Sequence, residues 1–191
     1  MPANYFHLLR RQMLRNYRKP LILAAPKIGL KHPKAVSSIK EFLPGTTFKP
    51  IYANTFGTGK HYKKVLICSG KVYFDIMQKI EAQPLPENHK TLVIRLEELA
   101  PFPVHQIEHE LLNVPHNADV FYMQEECMNE GAFQFAKLHI DRLLKKHKFT
   151  HCPEMRYIGR PSQHSFATGS NIDHKYENEK LWKDFEKALY A

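Results

Sequence analysis

Val65-Leu66-Ile67-Cys68-Ser69-Gly70-Lys71-Val72-Tyr73-Phe74 is the stretch that decides the fold. Four consecutive apolar residues, Val65 to Cys68, read as a short strand buried on both faces. Ser69-Gly70 turns the chain, and Val72 to Ala82 then reads as a helix. Thr91 to Leu96 supplies another apolar strand, so the stretch opens a strand–helix–strand unit.

The same alternation continues toward the C-terminus. Val104 to Asn113 reads as a helix introduced by Pro101 and Pro103, Ala118 to Met123 as a strand and Ala132 to Lys146 as a helix. Met155 to Ile158 is the last expected strand. Glu177 to Leu189 is the terminal helix, with Leu181, Phe185 and Leu189 on one face.

Toward the N-terminus, residues 3 to 18 read as a helix with Tyr5, Leu8, Leu9 and Met13 as its apolar stripe, ended by Pro20. Leu21 to Ala25 is expected to be a buried strand, Lys34 to Leu43 a helix stopped by Pro44-Gly45, and Thr47 to Tyr52 a strand. Ala53 to His61 reads as a glycine-containing loop. The expected class is α/β: a mostly parallel sheet with helices on both faces.

With 191 residues, 43% of them hydrophobic, the chain can bury one ordinary core. No apolar run approaches the ~20 residues of a membrane helix. The net charge of +9 is unevenly placed. Residues 1–40 hold nine Lys/Arg and no acid, and beyond them nineteen basic residues balance nineteen acidic ones. Such a head suits an acidic partner domain, a mitochondrial targeting segment or a polyanion contact. Three cysteines, Cys68, Cys127 and Cys152, argue against a disulfide framework and for a reducing compartment.

Several motifs carry residue types capable of chemistry. Ser69-Gly70-Lys71 at a strand-to-helix junction offers N–H groups and a cation to an anion, or is simply a tight turn. Arg95 and Glu97 alternate on a strand, share a face, and form either a ligand contact or an interface ion pair. Glu125 and Glu126 close a strand and serve as acid and base or, more simply, orient neighbouring groups. Gly57-Thr58-Gly59-Lys60 fails the phosphate-loop spacing and reads as a flexible loop. His105 and His109, and the group His147, His151 and Cys152, lack the spacing of a zinc motif, and no pairing supports a nucleophilic Cys127. No catalytic or metal-ligating residue is assigned.

A series of words in order resembles a known family. They are Pro2-Ala3-Asn4-Tyr5-Phe6-His7-Leu8-Leu9-Arg10-Arg11-Gln12, Arg18-Lys19-Pro20-Leu21-Ile22, Leu43-Pro44-Gly45-Thr46-Thr47-Phe48 and Cys68-Ser69-Gly70-Lys71-Val72-Tyr73. Ile94-Arg95-Leu96-Glu97-Glu98-Leu99, Gln124-Glu125-Glu126, Tyr157-Ile158-Gly159-Arg160-Pro161 and Ala167-Thr168-Gly169 complete the series. The chain resembles the C-terminal part of the thiamine-dependent, decarboxylating first component of 2-oxoglutarate dehydrogenase, or of the related 2-oxoadipate enzyme. One departure is Glu130, where relatives commonly carry glutamine.

The resemblance implies a C-terminal domain of the transketolase superfamily at residues 19–191. Residues 1–18 would be the helical tail of a preceding pyrimidine-binding domain, in a chain that reads as a piece of a larger enzyme. It implies a whole enzyme of the tricarboxylic acid cycle using thiamine diphosphate and magnesium, bound by upstream residues and not by this chain alone. It implies partners too: the N-terminal catalytic domains or a full-length paralogue, a lipoyl-carrying second component, and a second copy in a homodimer. No membrane partner is expected, and nucleic acid is the least favoured. The setting would be the mitochondrial matrix, or the cytoplasm of a bacterium. Ser69, Gly70, Lys71 and Arg95 become candidates for an effector or anion site, as in bacterial relatives that take acetyl-CoA there. Arg10, Arg11, Arg15, Glu97, Glu125 and Glu126 become interface candidates. The competing expectation is a catalytically empty structural subunit that docks through its basic head.

Overall fold

A computed structural model describes residues 1–165 and 168–191. Ala167, quoted above in one of the resembling words, lies outside the described residues. Contacts divide the chain into two compact units, Met1–Pro50 and Ile51–Ala191.

The second unit holds a five-stranded sheet. Its strands are β1 (Ile51–Gly57), β2 (Lys64–Ser69), β3 (Lys90–Leu96), β4 (Asp119–Cys127) and β5 (Arg156–Arg160), in spatial order β1-β3-β2-β4-β5. β2, β3, β4 and β5 run parallel to their neighbours, and β1 lies antiparallel on β3. The expected mostly parallel α/β sheet is therefore present. Ile67 pairs with Ile94 on one side and Tyr122 on the other. Val65, Leu66, Ile67 and Cys68 are all fully buried, as a central strand covered on both faces requires.

Successive β2 residues serve different cores. Val65 and Ile67 join Ile107 of α3 (Val104–Leu111) and Ile140 and Leu144 of α4 (Phe133–Lys146). Leu66 and Cys68 join Ile76 of α2 (Val72–Ala82) and Leu181 and Phe185 of α5 (Asn171–Tyr190). Each fully buried aliphatic side chain stabilises the fold by roughly 1.5–3 kcal/mol. Helix α5 starts earlier than its apolar spacing suggests, because Ser170 caps it by accepting the Asp173 N–H at 3.3 Å. At its far end, buried Lys64 donates to the carbonyls of Ala188 and Ala191, satisfying groups a helix terminus leaves open.

The first unit departs from expectation. Helix α1 spans Pro2–Leu14, and its buried residues are Ala3, Asn4 and His7. These make polar bonds. Asn4 donates to the Lys49 carbonyl and accepts the Lys49 N–H, both at 2.9 Å. His7 Nε2 lies 2.8 Å from the Glu41 carbonyl oxygen, and Ser37 Oγ accepts the Ala3 N–H at 3.1 Å. Of the apolar stripe, Tyr5, Leu9 and Met13 are 53, 42 and 66% exposed and Leu8 is half-buried.

The strand expected at Leu21 to Ala25 is absent. The segment has no sheet neighbour, and Ile22 is 89% exposed. The helix expected at Lys34 to Leu43 shrinks to a 3-10 turn, Ile39–Phe42. There Ser38 and Glu41 form a reciprocal capping box, so local side-chain bonds replace a longer helix. The strand expected at Thr47 begins only at Ile51. Asn4 occupies both backbone groups of Lys49, and Pro50 has no N–H to offer a ladder. In turn β1 runs on through Ile51–Gly57, where a loop was expected.

Candidate functional site at the carboxyl ends of the strands

The connection from β2 runs through α2 to β3 on one side, and that from β4 through α4 to β5 on the other. The crevice of an open α/β sheet lies where this direction reverses. Ser69, Gly70, Lys71, Glu125 and Glu126 all stand there, at the carboxyl ends of β2 and β4.

Gly70 has φ +70°, a left-handed turn that releases the chain from β2 into α2. Lys71 Nζ then sits 2.5 Å from Asp75 Oδ2 and 3.0 Å from Glu125 Oε1. Burial works against its charge, yet hydrogen bonds to Asp75 and Glu125 prevail and hold its pKa above the ordinary lysine value. Ser69 Oγ is 3.3 Å from the Tyr122 hydroxyl, whose pKa burial pushes up to about 12. Lys71, Asp75 and Glu125 line a groove of about 540 Å³ with Gln78, His174 and Trp182.

Arg95 is elsewhere. It is 2% exposed, on β3, with Nε 2.5 Å from Glu97 Oε1. The rings of Tyr73, Tyr52 and Phe74 enclose its guanidinium, with centroids 4.3, 4.9 and 5.4 Å away. Arg95 and Glu97 thus share a face and an ion pair, but neither lines the Lys71 groove.

Glu125 meets Lys71, while Glu126 is exposed and contributes its backbone carbonyl, which accepts from the Tyr157 hydroxyl at 3.0 Å. Gln124 was not singled out from the sequence, yet it organises this end of the sheet. Only 1% exposed, it donates from Nε2 to the carbonyls of Cys127 and Glu130 at 2.8 Å each. Its Oε1 accepts the Phe133 N–H at 3.0 Å. The recurrence of Gln124 beside Glu125 in the resembling word was the available signal.

A second polar cluster ties α5 to the same end. Arg160 Nε lies 3.7 Å from Glu177 Oε2, which also accepts from Thr168 Oγ1 at 2.8 Å. Asn129 exchanges two hydrogen bonds with the Gln163 backbone, at 2.8 and 3.0 Å.

The remaining candidates are dispersed. His147 meets Glu108 at 2.6 Å, and His151 lies 3.4 Å from Asp119. Cys68, Cys127 and Cys152 are buried, and burial raises each thiol's pKa, to about 12 for Cys68. Among the described residues no three or more His, Cys, Asp or Glu side chains converge as a metal cage. In the first unit, Arg10 donates to the Thr46 carbonyl at 3.1 Å, Arg11 stands over the Phe48 ring at 4.4 Å, and Arg15 donates to the Tyr17 hydroxyl. The whole arrangement braces strand ends and presents charge.

The profile of the family described as "2-oxoglutarate dehydrogenase C-terminal" matches residues 36–185. The mouse "2-oxoadipate dehydrogenase complex component E1" is 38% identical over 180 residues, covering 94% of this chain and 19% of the relative. A Dictyostelium discoideum protein named as a probable homolog of that component is 38% identical, covering 96% of this chain and 20% of the relative. The Rickettsia felis "2-oxoglutarate dehydrogenase E1 component" is 37% identical over 185 residues, 96% of this chain and 18% of the relative. The chain therefore spans about a fifth of the length of the curated relatives it matches.

Proposed function

This chain belongs to the 2-oxoglutarate dehydrogenase C-terminal family, and from that premise we propose that it works as the assembly domain of a 2-oxo-acid dehydrogenase first component. The whole enzyme decarboxylates 2-oxoglutarate or 2-oxoadipate and passes the acyl group to a lipoyl-carrying second component. Thiamine diphosphate and magnesium supply the decarboxylation chemistry and are held by the catalytic part of the enzyme. This chain contributes dimer assembly and, near Lys71, effector binding in which an anion would displace Asp75 or Glu125 from the lysine. Its setting is the mitochondrial matrix in a eukaryote or the cytoplasm in a bacterium.

The observation that carries this reading is the inversion of the first unit. Its polar residues are inside, while Met13, Leu14, Ile22, Leu30, Val36 and Ile39 are each at least 64% exposed. Residues 1–50 also hold ten Lys/Arg against one acid, Glu41, so the chain's net charge of +9 resides there. Exposed aliphatic side chains interleaved with cations fit a protein surface that is apolar at its centre and acidic at its rim. In this reading residues 1–50 dock on the cofactor-bearing part of a first component.

Native purification of the protein from cells that express it, followed by a thiamine-dependent 2-oxo-acid decarboxylation assay on the eluate, tests the assignment. Decarboxylase activity at constant stoichiometry with this chain is the expected result. An inactive assembly without a thiamine-binding polypeptide would replace it with the structural-subunit reading.

A further inference from the structure

We propose that the opposite end of the sheet carries a second ligand site, a basic cavity for a small molecule bearing a phosphate or diphosphate group. This site is independent of the docking role assigned to residues 1–50. It lies at the amino ends of β2 and β4, away from the crevice described above.

The cavity measures about 830 Å³, within the ordinary range of small-molecule pockets. Lys60, His61, Lys63, Lys64 and His89 contribute its basic groups, and Asn88 and Asn117 its amides. Asp119 is its acidic side chain, and that charge is already engaged by Arg156 Nη1 at 3.0 Å and His151 Nε2 at 3.4 Å. Lys64 is turned toward the end of α5, with Ala191 O at 2.8 Å. Among the described residues, Lys60 and Lys63 make no ion pair. Ala191 also lines the cavity and its carbonyl is held by Lys64; with Asp119 paired as well, Lys60 and Lys63 are the cations left to meet an anion.

The loop that presents these groups is built, not merely open. Gly57, at φ +84°, and Gly59 let the chain press against the turn at Asn88 and His89. A Cβ on Gly57 would collide with the His89 carbonyl oxygen, and one on Gly59 would lie 2.5 Å from that of Asn88. The Gly59 N–H donates to the His89 carbonyl at 3.3 Å, and the Lys63 N–H to that of Lys90 at 2.8 Å. Gly57-Thr58-Gly59-Lys60, which fails as a phosphate loop by spacing, thus delivers Lys60 and His61 to the cavity mouth by close backbone approach. The local positive field already registers on His89. Burial, then Lys63 and Lys64, hold its pKa below the ordinary histidine value.

The test is an NMR titration of the full chain with inorganic pyrophosphate and, separately, inorganic phosphate. Saturable shifts at the amides of Gly59, His61, Asn88 and His89 are expected. Tighter binding of pyrophosphate assigns the site to diphosphates, and equal binding assigns it to single phosphate groups. Lys60→Gln with Lys63→Gln should weaken binding about tenfold or more, whereas Lys31→Gln with Lys34→Gln should not change it. Lys31, Lys60 and Lys63 are exposed and Lys34 is half-buried, and Lys63→Gln alone, with about threefold weakening, serves if the double variant loses its native spectrum. Shifts confined to residues 1–50, shifts that never saturate, or an affinity unchanged by the Lys60 and Lys63 variants would overturn the proposal.

Discussion

The side-chain carbonyl of Gln124 accepts the backbone N–H of Phe133 at 3.0 Å, tying the end of β4 to the first turn of α4. The rest of the amide holds the intervening loop by its Cys127 and Glu130 carbonyls. Gly131, at φ +62°, fits inside this loop only without a side chain, since a Cβ would lie 2.7 Å from Gln124 Oε1. Gln124→Ala strands several buried groups and should cost about 3 kcal/mol. Gly131→Ala should cost about 2 kcal/mol through strain alone. Urea unfolding of each variant checks both values, and a Gln124→Ala loss below about 0.5 kcal/mol would contradict the anchoring role.

Arg95 and Glu97 make an asymmetric prediction. Removing Glu97 leaves a buried guanidinium without its carboxylate, so Glu97→Ala should destabilise by about 3 kcal/mol. Arg95→Met should cost less, because a thioether packs well among the Tyr52, Tyr73 and Phe74 rings. Equal losses in thermal unfolding would show that the rings contribute nothing selective.

Acid should loosen the first unit. Glu41 receives a hydrogen bond from Lys49 Nζ at 2.9 Å and another from the Ser38 N–H. The Lys49 bond leads in holding its folded pKa below the ordinary 4.5. A depressed carboxylate pKa gives stabilisation that is complete above the unfolded value and lost as pH falls through the folded one. Protection factors of the Ser38 and Lys40 amides, relative to intrinsic exchange at each pH, should therefore fall below about pH 4.5, and Glu41→Gln should abolish that step.

The sheet was legible because Val65 to Cys68 and Thr91 to Leu96 are apolar runs with few other folded uses. Helix α2 matched its expected bounds, Val72–Ala82, because Ser69-Gly70 and its apolar spacing agree. The first unit misled for a physical reason. Leu21 to Ala25 has the composition of a buried strand, yet it puts apolar groups outward, as the α1 stripe does. Periodicity reveals that a face is to be covered without revealing whether the cover is the chain's own core. The site divided similarly. Arg95 with Glu97 followed from strand alternation, whereas strand ends put Lys71 and Glu125 at one edge of the sheet without revealing that they pair. The Gln124 network depends on carbonyls three to six residues away that only the folded loop gathers.

Outward apolar groups should be dispensable for folding and needed for assembly. Met13→Ser with Ile22→Ser should change unfolding free energy by no more than about 0.5 kcal/mol, as surface substitutions do. The same variant should fail to co-purify with a thiamine-binding first-component polypeptide. Undiminished co-purification would move the docking surface away from residues 1–50.

The most direct measurement is lysine cross-linking with mass spectrometry on the natively purified assembly. The account predicts cross-links from Lys19, Lys27, Lys31 and Lys34 to acidic, apolar surfaces of a thiamine-binding first-component polypeptide. Cross-links that join this chain only to an unrelated complex, or that leave residues 1–50 untouched, would contradict it.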